Sequence, residues 1–459
     1  MKSILTLMTC LIMAISVVGQ MSLSLEEARS LALEKNTRSQ VAKMEIDKAR
    51  SVVKETLAIG LPQVNASGSF NNFLDIPVQV IPDFISPAVY GVLLEEDLID
   101  DGSVPTPGNV EAQFGTEYTM TGGVSLSQLI FNGSYLIGLQ AARSYADLSK
   151  LEYERTELDV KQAVDQAYYT VLMAEENEQV LRESLENLEA MLKETEALYE
   201  EGFVEEQDTE QLRITVNTVG SDLNNASRQV ILTRQLLNLQ LGIPLNELVQ
   251  LTDDSESILD FQSLPEELLT SSPDLSGHPE AKVMDQNVLL QQMRIREQKS
   301  RYLPVLNGFF NYQRQALRND FDFFESGGEW FPSTVWGVEL SVPIFSSGMK
   351  HQKVKQLEID LQELELFRAD TQKGLALSAE RAASDYRFAK ENFEIAEENL
   401  ALAERIREKT RIKYQEGISS SFELDQIENQ YLQAEGQRIN ATLSLLNALT
   451  EFKKAYNAF

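Results

Sequence analysis

Four short stretches of the chain alternate strictly between apolar and polar residues. Val64, Ala66, Gly68 and Phe70 oppose Asn65, Ser67, Ser69 and Asn71. Tyr118, Met120, Gly122, Val124 and Leu126 oppose Thr119, Thr121, Gly123, Ser125 and Ser127. Leu306, Gly308, Phe310 and Tyr312 oppose Asn307, Phe309, Asn311 and Gln313. Trp336, Val338, Leu340, Val342 and Ile344 oppose Gly337, Glu339, Ser341 and Pro343. A period of two predicts strands with one apolar and one polar face, near 62–73, 115–131, 304–315 and 332–345. Such strands suit a sheet between lipid and water, although a half-buried soluble sheet alternates in the same way.

Elsewhere the period is 3.5. Steps of four and three from Val160 pass through Val164, Ala167, Val171 and so on to Thr195 and Tyr199. Ten of these twelve positions are apolar, Glu178 and Thr195 being the exceptions, so the row reads as a packing seam. A matching row runs from Leu375 to Tyr414, with Arg407 and Thr410 as its exceptions. Further rows start at Leu212 and Ile427. No proline falls between Tyr135 and Tyr199 or between Met349 and Tyr414. Each stretch predicts a helix of roughly 100 Å at 1.5 Å per residue, far beyond the globular average. Sustained 3.5-residue seams predict supercoiled antiparallel hairpins, near 134–241 and 348–457.

The chain repeats itself. Asn36 to Phe70 aligns without a gap onto His278 to Tyr312, with Leu61-Pro62 on Leu303-Pro304. Val124-Ser125-Leu126-Ser127 and Ile130-Phe131 match Val338-Glu339-Leu340-Ser341 and Ile344-Phe345. Tyr199-Glu200-Glu201-Gly202 matches Tyr414-Gln415-Glu416-Gly417. The length difference between the copies falls between the strands of each pair. There, Leu74 to Phe114 is rich in proline and acid, and its counterpart, Ala316 to Phe331, is shorter. Loops absorb insertions at little cost, so both stretches are predicted as loops. The division that follows is 20–245, 246–277 as a connecting segment, and 278–459.

The N-terminus changes the setting. Lys2 precedes the apolar run Ile4 to Val18 and then Gly19-Gln20. This predicts a secretory signal peptide over 1–19, too short to be a spanning helix. Cys10, the single cysteine, lies within it; lipidation there would leave almost no apolar run upstream. Removal of the segment leaves no thiol for a disulfide or metal. An exported chain with alternating strands and no spanning helix favours a membrane barrel. Four strands cannot close one, and open edges would strand backbone groups in hydrocarbon. Copies of the chain must complete it; three would supply twelve strands.

The formal net charge is −31, which excludes nucleic acid as a partner. No metalloprotease, phosphate-loop or nucleophile-elbow motif occurs, and His278 and His351 read as structural, so neither enzyme nor cofactor chemistry is indicated. Trp330, Phe331, Trp336, Tyr118 and Tyr312 suit an interfacial aromatic girdle.

In the order and duplication of these motifs, the chain resembles the TolC-like outer-membrane efflux family. The carriers are the Leu-Pro strand entries, the Val-x-Leu-Ser-x-x-Ile-Phe segments, the Tyr-x-x-Gly turns, and Leu241-Gly242-Ile243-Pro244. The resemblance implies a mainly α chain with a membrane β-barrel part. A homotrimer would form a twelve-stranded barrel continued by a helical coiled-coil tunnel. It implies partners: a periplasmic adaptor protein, an inner-membrane pump and outer-membrane lipid. A protein-secretion duct and a coiled-coil envelope protein without a pore remain the alternatives. The family places adaptor contacts at the hairpin turns, here Gly202, Phe203, Val204, Gly417, Ile418 and Ser419. It also rings its periplasmic entrance with acids six and nine residues past the second glycine. Glu423 stands at the first position; the second is Gln426, with Asp425 beside it, and Asp208 follows the first turn.

Overall fold

The structure is a computed structural model and describes residues 21–100, 106, 108–262 and 275–459. The predicted signal peptide with Cys10, the loop prolines Pro105 and Pro107, and 263–274 of the connecting segment lie outside the described residues. The chain divides into two compact units that cut across its linear order: a helical unit (1–51, 143–292, 359–459) and a strand unit (52–142, 293–358).

The strand unit holds β2 (Gln63–Asn72), β5 (Tyr118–Asn132), β7 (Val305–Arg318) and β8 (Phe331–Ser341), following β1 (Met21–Leu23) of the helical unit. They form one antiparallel sheet in the order β2-β5-β7-β8. The register keeps like with like. Val64 pairs with Leu126, Leu126 with Phe310, and Phe310 with Trp336. One residue along, Asn65, Ser125 and Asn311 share a row that ends on Val335, and Ser67, Gly123, Gln313 and Ser333 share the next polar one. A slip of one residue would turn every apolar side chain to the opposite face, so this pattern pins the register. Val64, Trp336, Val338 and Leu340 are exposed in the single chain. At one end, the Phe70 and Tyr118 rings stack 6.1 Å apart, with Phe321 edge-on to both.

Two details differ from the alternation. β8 ends at Ser341, short of Phe345. Pro343 has no N–H to donate to a ladder, which accounts for the early stop. The first predicted loop contains β3 (Val78–Pro82), α3 (Ile85–Glu95) and β4 (Asn109–Gln113), with β3 and β4 antiparallel. Asp83 Oδ1 accepts from the Ser86 and Ile85 N–H groups and starts α3. Its prolines are tolerated because Pro82 closes a strand and Pro87 lies in the first helical turn.

The helical unit begins with β1, parallel to β6 (Val249–Leu251). Ser24 and Glu27 form a reciprocal capping box at the start of α1 (Leu25–Lys35). After it come α2 (Thr37–Ile59), α4 (Gly133–Glu200), α5 (Glu206–Leu241), α6 (Ser255–Gln262) and α7 (Pro279–Ser300). The chain ends with α8 (Met349–Gln415) and α9 (Ser421–Ala455). Four of these helices, α2, α4, α7 and α8, run through the unit boundary. All twelve seam positions from Leu375 to Tyr414 are buried or half-buried; between them only Ala383 and Arg411 are also covered. Eleven of the twelve from Val160 are covered, Tyr199 being exposed because α4 ends one residue later and α5 starts only at Glu206. The core gathers Val164, Ala167, Tyr168 and Val171 of α4 against Ala28 and Ala32 of α1.

Charged residues that interrupt the seams are all paired. Glu178 accepts from Ser227 and Arg182. Arg407 donates to both oxygens of Glu428, and its guanidinium lies 4.1 Å from the Tyr431 ring centroid. Arg438 pairs with Glu176 and Glu435. Outside the rows, the fully buried Asp165 pairs with Arg29 at 2.6 Å. Pairing is what makes burial of such groups tolerable.

Candidate functional site

The two hairpin turns share one backbone solution. Gly202 follows α4 with φ +81°, and Gly417 follows α8 with φ +71°. The Gly202 N–H donates to Tyr199 O and the Phe203 N–H to Leu198 O. At the second turn, Gly417 N–H donates to Tyr414 O and Ile418 N–H to Lys413 O. This is the Schellman arrangement, which requires a left-handed residue and favours glycine. The residue after the glycine ordinarily packs back onto the helix. Here Phe203 is 77% exposed and Ile418 75%. Val204 and Ser419 are half-buried.

The acids behind the turns take different places. Asp208 Oδ2 accepts from the Glu205 N–H and caps α5, while its Oδ1 accepts from the Ser421 hydroxyl of α9. Asp425 accepts from the Thr215 hydroxyl and the Gln211 amide, both on α5. Two of the three acids are therefore bonded across the hairpins of the same chain. Glu423 is exposed and accepts from the Ser419 hydroxyl at 2.7 Å. It also lies in the first turn of α9, where negative charge favours the helix dipole.

A further link lies one turn back. The Thr195 hydroxyl of α4 and the Tyr414 phenol of α8 are within hydrogen-bond distance. Burial pushes the Tyr414 phenol above its ordinary value, so it stays protonated and able to donate at neutral pH. Thr195, Thr215 and Ser421 had no place among the sequence candidates. The one available signal was polarity: Thr195 and Tyr414 carry hydroxyls on rows that are otherwise nearly all apolar.

Among the described residues, no group of three His, Cys, Asp or Glu residues is placed to hold a metal ion. No described helix is long and apolar enough to cross a membrane, which says nothing of a barrel.

The chain thus holds an amphipathic antiparallel sheet and two long helical hairpins. Residues 103–242 and 264–458 match the family described as "Outer membrane efflux protein". The chain belongs to that family. A curated relative is the outer membrane protein TolC of Vibrio cholerae, 24% identical over 250 residues, covering 52% of this chain and 54% of that protein. The match thus spans about half the length of this relative. Among solved structures, the CmeC outer membrane channel of Campylobacter jejuni is 18% identical, with a TM-score of 0.68 over 95% of this chain and 85% of that one. CusC is 16% identical, with a TM-score of 0.71 over 94% and 91%. The open-state MtrE outer membrane channel of Neisseria gonorrhoeae is 16% identical, with a TM-score of 0.68 over 94% and 88%. At such identities these structures speak for the fold.

Proposed function

We propose that this chain is one protomer of a homotrimeric channel-tunnel, the passive outer duct of a tripartite efflux system. The mature chain, freed of 1–19, consists of two repeats, 20–245 and 278–459, joined by 246–277. Three protomers contribute four strands each to a twelve-stranded barrel in the outer membrane, and the helical hairpins build a periplasmic tunnel. A duct of this kind needs no catalytic residue, because an inner-membrane pump supplies the energy.

The observation that carries this reading is the strand register. Polar side chains predominate on one face of the sheet, with Leu129, Phe309, Phe331 and Val335 among them, while the other face carries Val64, Phe310, Trp336, Val338 and Leu340, all exposed. Among the described residues, both outer edges, on β2 and β8, are unpaired. In hydrocarbon such edges must be closed, and copies of the same sheet can close them. Phe203 and Ile418 fit a periplasmic adaptor: exposed, apolar and held by rigid turns. Gly202, Val204, Gly417 and Ser419 complete that contact. Asp208, Glu423 and Asp425 line the periplasmic entrance, with Glu423, exposed and bonded only locally, the acid that faces a passing ion.

The test combines two measurements. Detergent-purified protein is expected to run as a trimer and to conduct ions in planar bilayers; a rod-like species without conductance would make it a structural coiled-coil protein. Photo-cross-linkers at 203 and 418 are expected to capture a periplasmic adaptor in cells. Capture of a secreted polypeptide in transit would move the assignment to a protein-secretion duct.

A further inference from the structure

The polar face of the sheet is almost free of charge. Its successive rows hold Ser69, Thr121, Gln315 and Phe331; then Ser67, Gly123, Gln313 and Ser333; then Asn65, Ser125, Asn311 and Val335. The one ionisable side chain on this face, among the described residues of the four strands, is Glu339 of β8. It is exposed and stands opposite Asn307, which in turn stands opposite Leu129. The row on one side holds Phe309 and Gly337, and the row on the other Val305 and Ser341. Neither contains a cation. The two arginines of β7 fall on the opposite face and are engaged: Arg314 donates to the Tyr312 phenol oxygen, and Arg318 pairs with Asp322.

We infer that Glu339 is a selectivity-determining residue of the passage, drawing cations into it through an uncompensated carboxylate on an otherwise neutral wall. The inference rests on the duct reading, in which the polar sheet faces line the lumen. Neutral amides and hydroxyls solvate ions of either sign. A carboxylate with no cation in its own or adjacent rows leaves a net field. Its reach in salt water is about 8 to 10 Å, and closure by symmetry repeats it around the axis. Rings of charged side chains are a recognised source of ion selectivity.

The test is the reversal potential of single channels in asymmetric KCl. The native protein is expected to prefer potassium. Glu339→Gln is expected to lower the cation-to-anion permeability ratio by about twofold or more, and Glu339→Lys to lower it further. Glu339→Asp is expected to stay near the native ratio. Position 339 can also be probed after assembly. In Glu339→Cys the only other cysteine is Cys10, in the segment expected to be removed. An anionic thiol reagent is expected to raise cation preference in the inserted channel, and a cationic reagent to reverse it. A native reversal potential in both Glu339→Gln and Glu339→Lys would overturn the inference. Indifference of the Cys variant to both reagents would overturn it as well, by showing that 339 does not face the passage. Absence of conductance in the native protein would instead remove the duct reading beneath it.

Discussion

The hydroxyl oxygen of Thr195 on α4 lies 2.9 Å from the phenol oxygen of Tyr414 on α8. The bond ties the last turns of the two long helices together, one from each hairpin. With Ser421 donating to Asp208, and Thr215 and Gln211 donating to Asp425, it completes a set of polar links within one chain. Parting of the hairpin tips would break all of them. Each neutral bond contributes about 1 kcal/mol, roughly a fivefold change in the equilibrium between joined and parted tips. Thr195→Val with Tyr414→Phe and Asp208→Ala is therefore expected to raise open-channel conductance in bilayers. Native conductance in that triple variant would show that these bonds do not restrain the tips.

The Arg407–Glu428 pair predicts an asymmetry between single and double substitutions. The Glu428 carboxylate is almost fully buried and takes both of its bonds from Arg407. Glu428→Ala leaves the guanidinium uncompensated and is expected to cost about 3 kcal/mol. Replacing both residues by leucine removes the orphaned charge and is expected to be far milder. Loss of helical ellipticity on heating reads the difference; equal losses would contradict it.

His278 gives a pH dependence. It is buried, and its Nδ1 accepts from the Glu280 N–H, as the Asn36 side chain accepts from Arg38 N–H in the first half of the chain. Burial holds the imidazole below its ordinary value of 6.5, so the folded chain binds its proton less readily than the unfolded chain. Its contribution to stability is complete above about 6.5 and is lost as pH falls through the lowered folded value. His278→Asn keeps an acceptor at the helix start and is expected to flatten the fall in melting temperature between about pH 7 and 5. An unchanged slope would mean that other groups set it.

Glycine matters unequally at the helix ends. Gly242 has φ +74°, and a Cβ there would run into the Lys35 carbonyl. Gly417 has a similar φ, but its Cβ would meet open space. Gly417→Ala is expected to cost only the left-handed penalty, about 1 to 2 kcal/mol. Gly242→Ala adds a backbone clash and is expected to cost clearly more. Thermal unfolding of the two variants side by side checks the order.

Much of the helical architecture was legible before folding, because its signals are local. The row from Leu375 to Tyr414 marks the covered stripe of α8 position by position, since a helix presents one face every 3.5 residues to a supercoiled neighbour. The strands at Gln63–Asn72 and Val305–Arg318 fall where apolar and polar residues alternate. Less legible was the stretch from Leu74 to Phe114. Its prolines and acids predict a loop, yet it pairs Val78 with Gln113 across α3. β3 and β4 are five residues each, too short for an alternation to stand out among prolines and acids.

The candidate acids show where periodicity stops. Spacing from the glycine turns treats Asp208, Glu423 and Asp425 as one kind of residue. Folding separates them: Asp208 and Asp425 bond to the opposite hairpin, and Glu423 stays exposed with a local serine. In the same way, Glu178, Arg407 and Arg438 look like defects in their seams until their partners are brought to them. By itself the sequence determined which segments are strands and long helices, which face of each is apolar, and where the turns must hold glycine. Those properties follow from one residue's relation to its neighbours a few positions away. Only the tertiary structure decided the strand order β2-β5-β7-β8, the pairing of buried charges and which acid is left without a bond across the hairpins. Those depend on contacts between segments that lie 21 residues apart at Arg407–Glu428 and 213 at Asp208–Ser421, whose geometry is set when the whole chain packs.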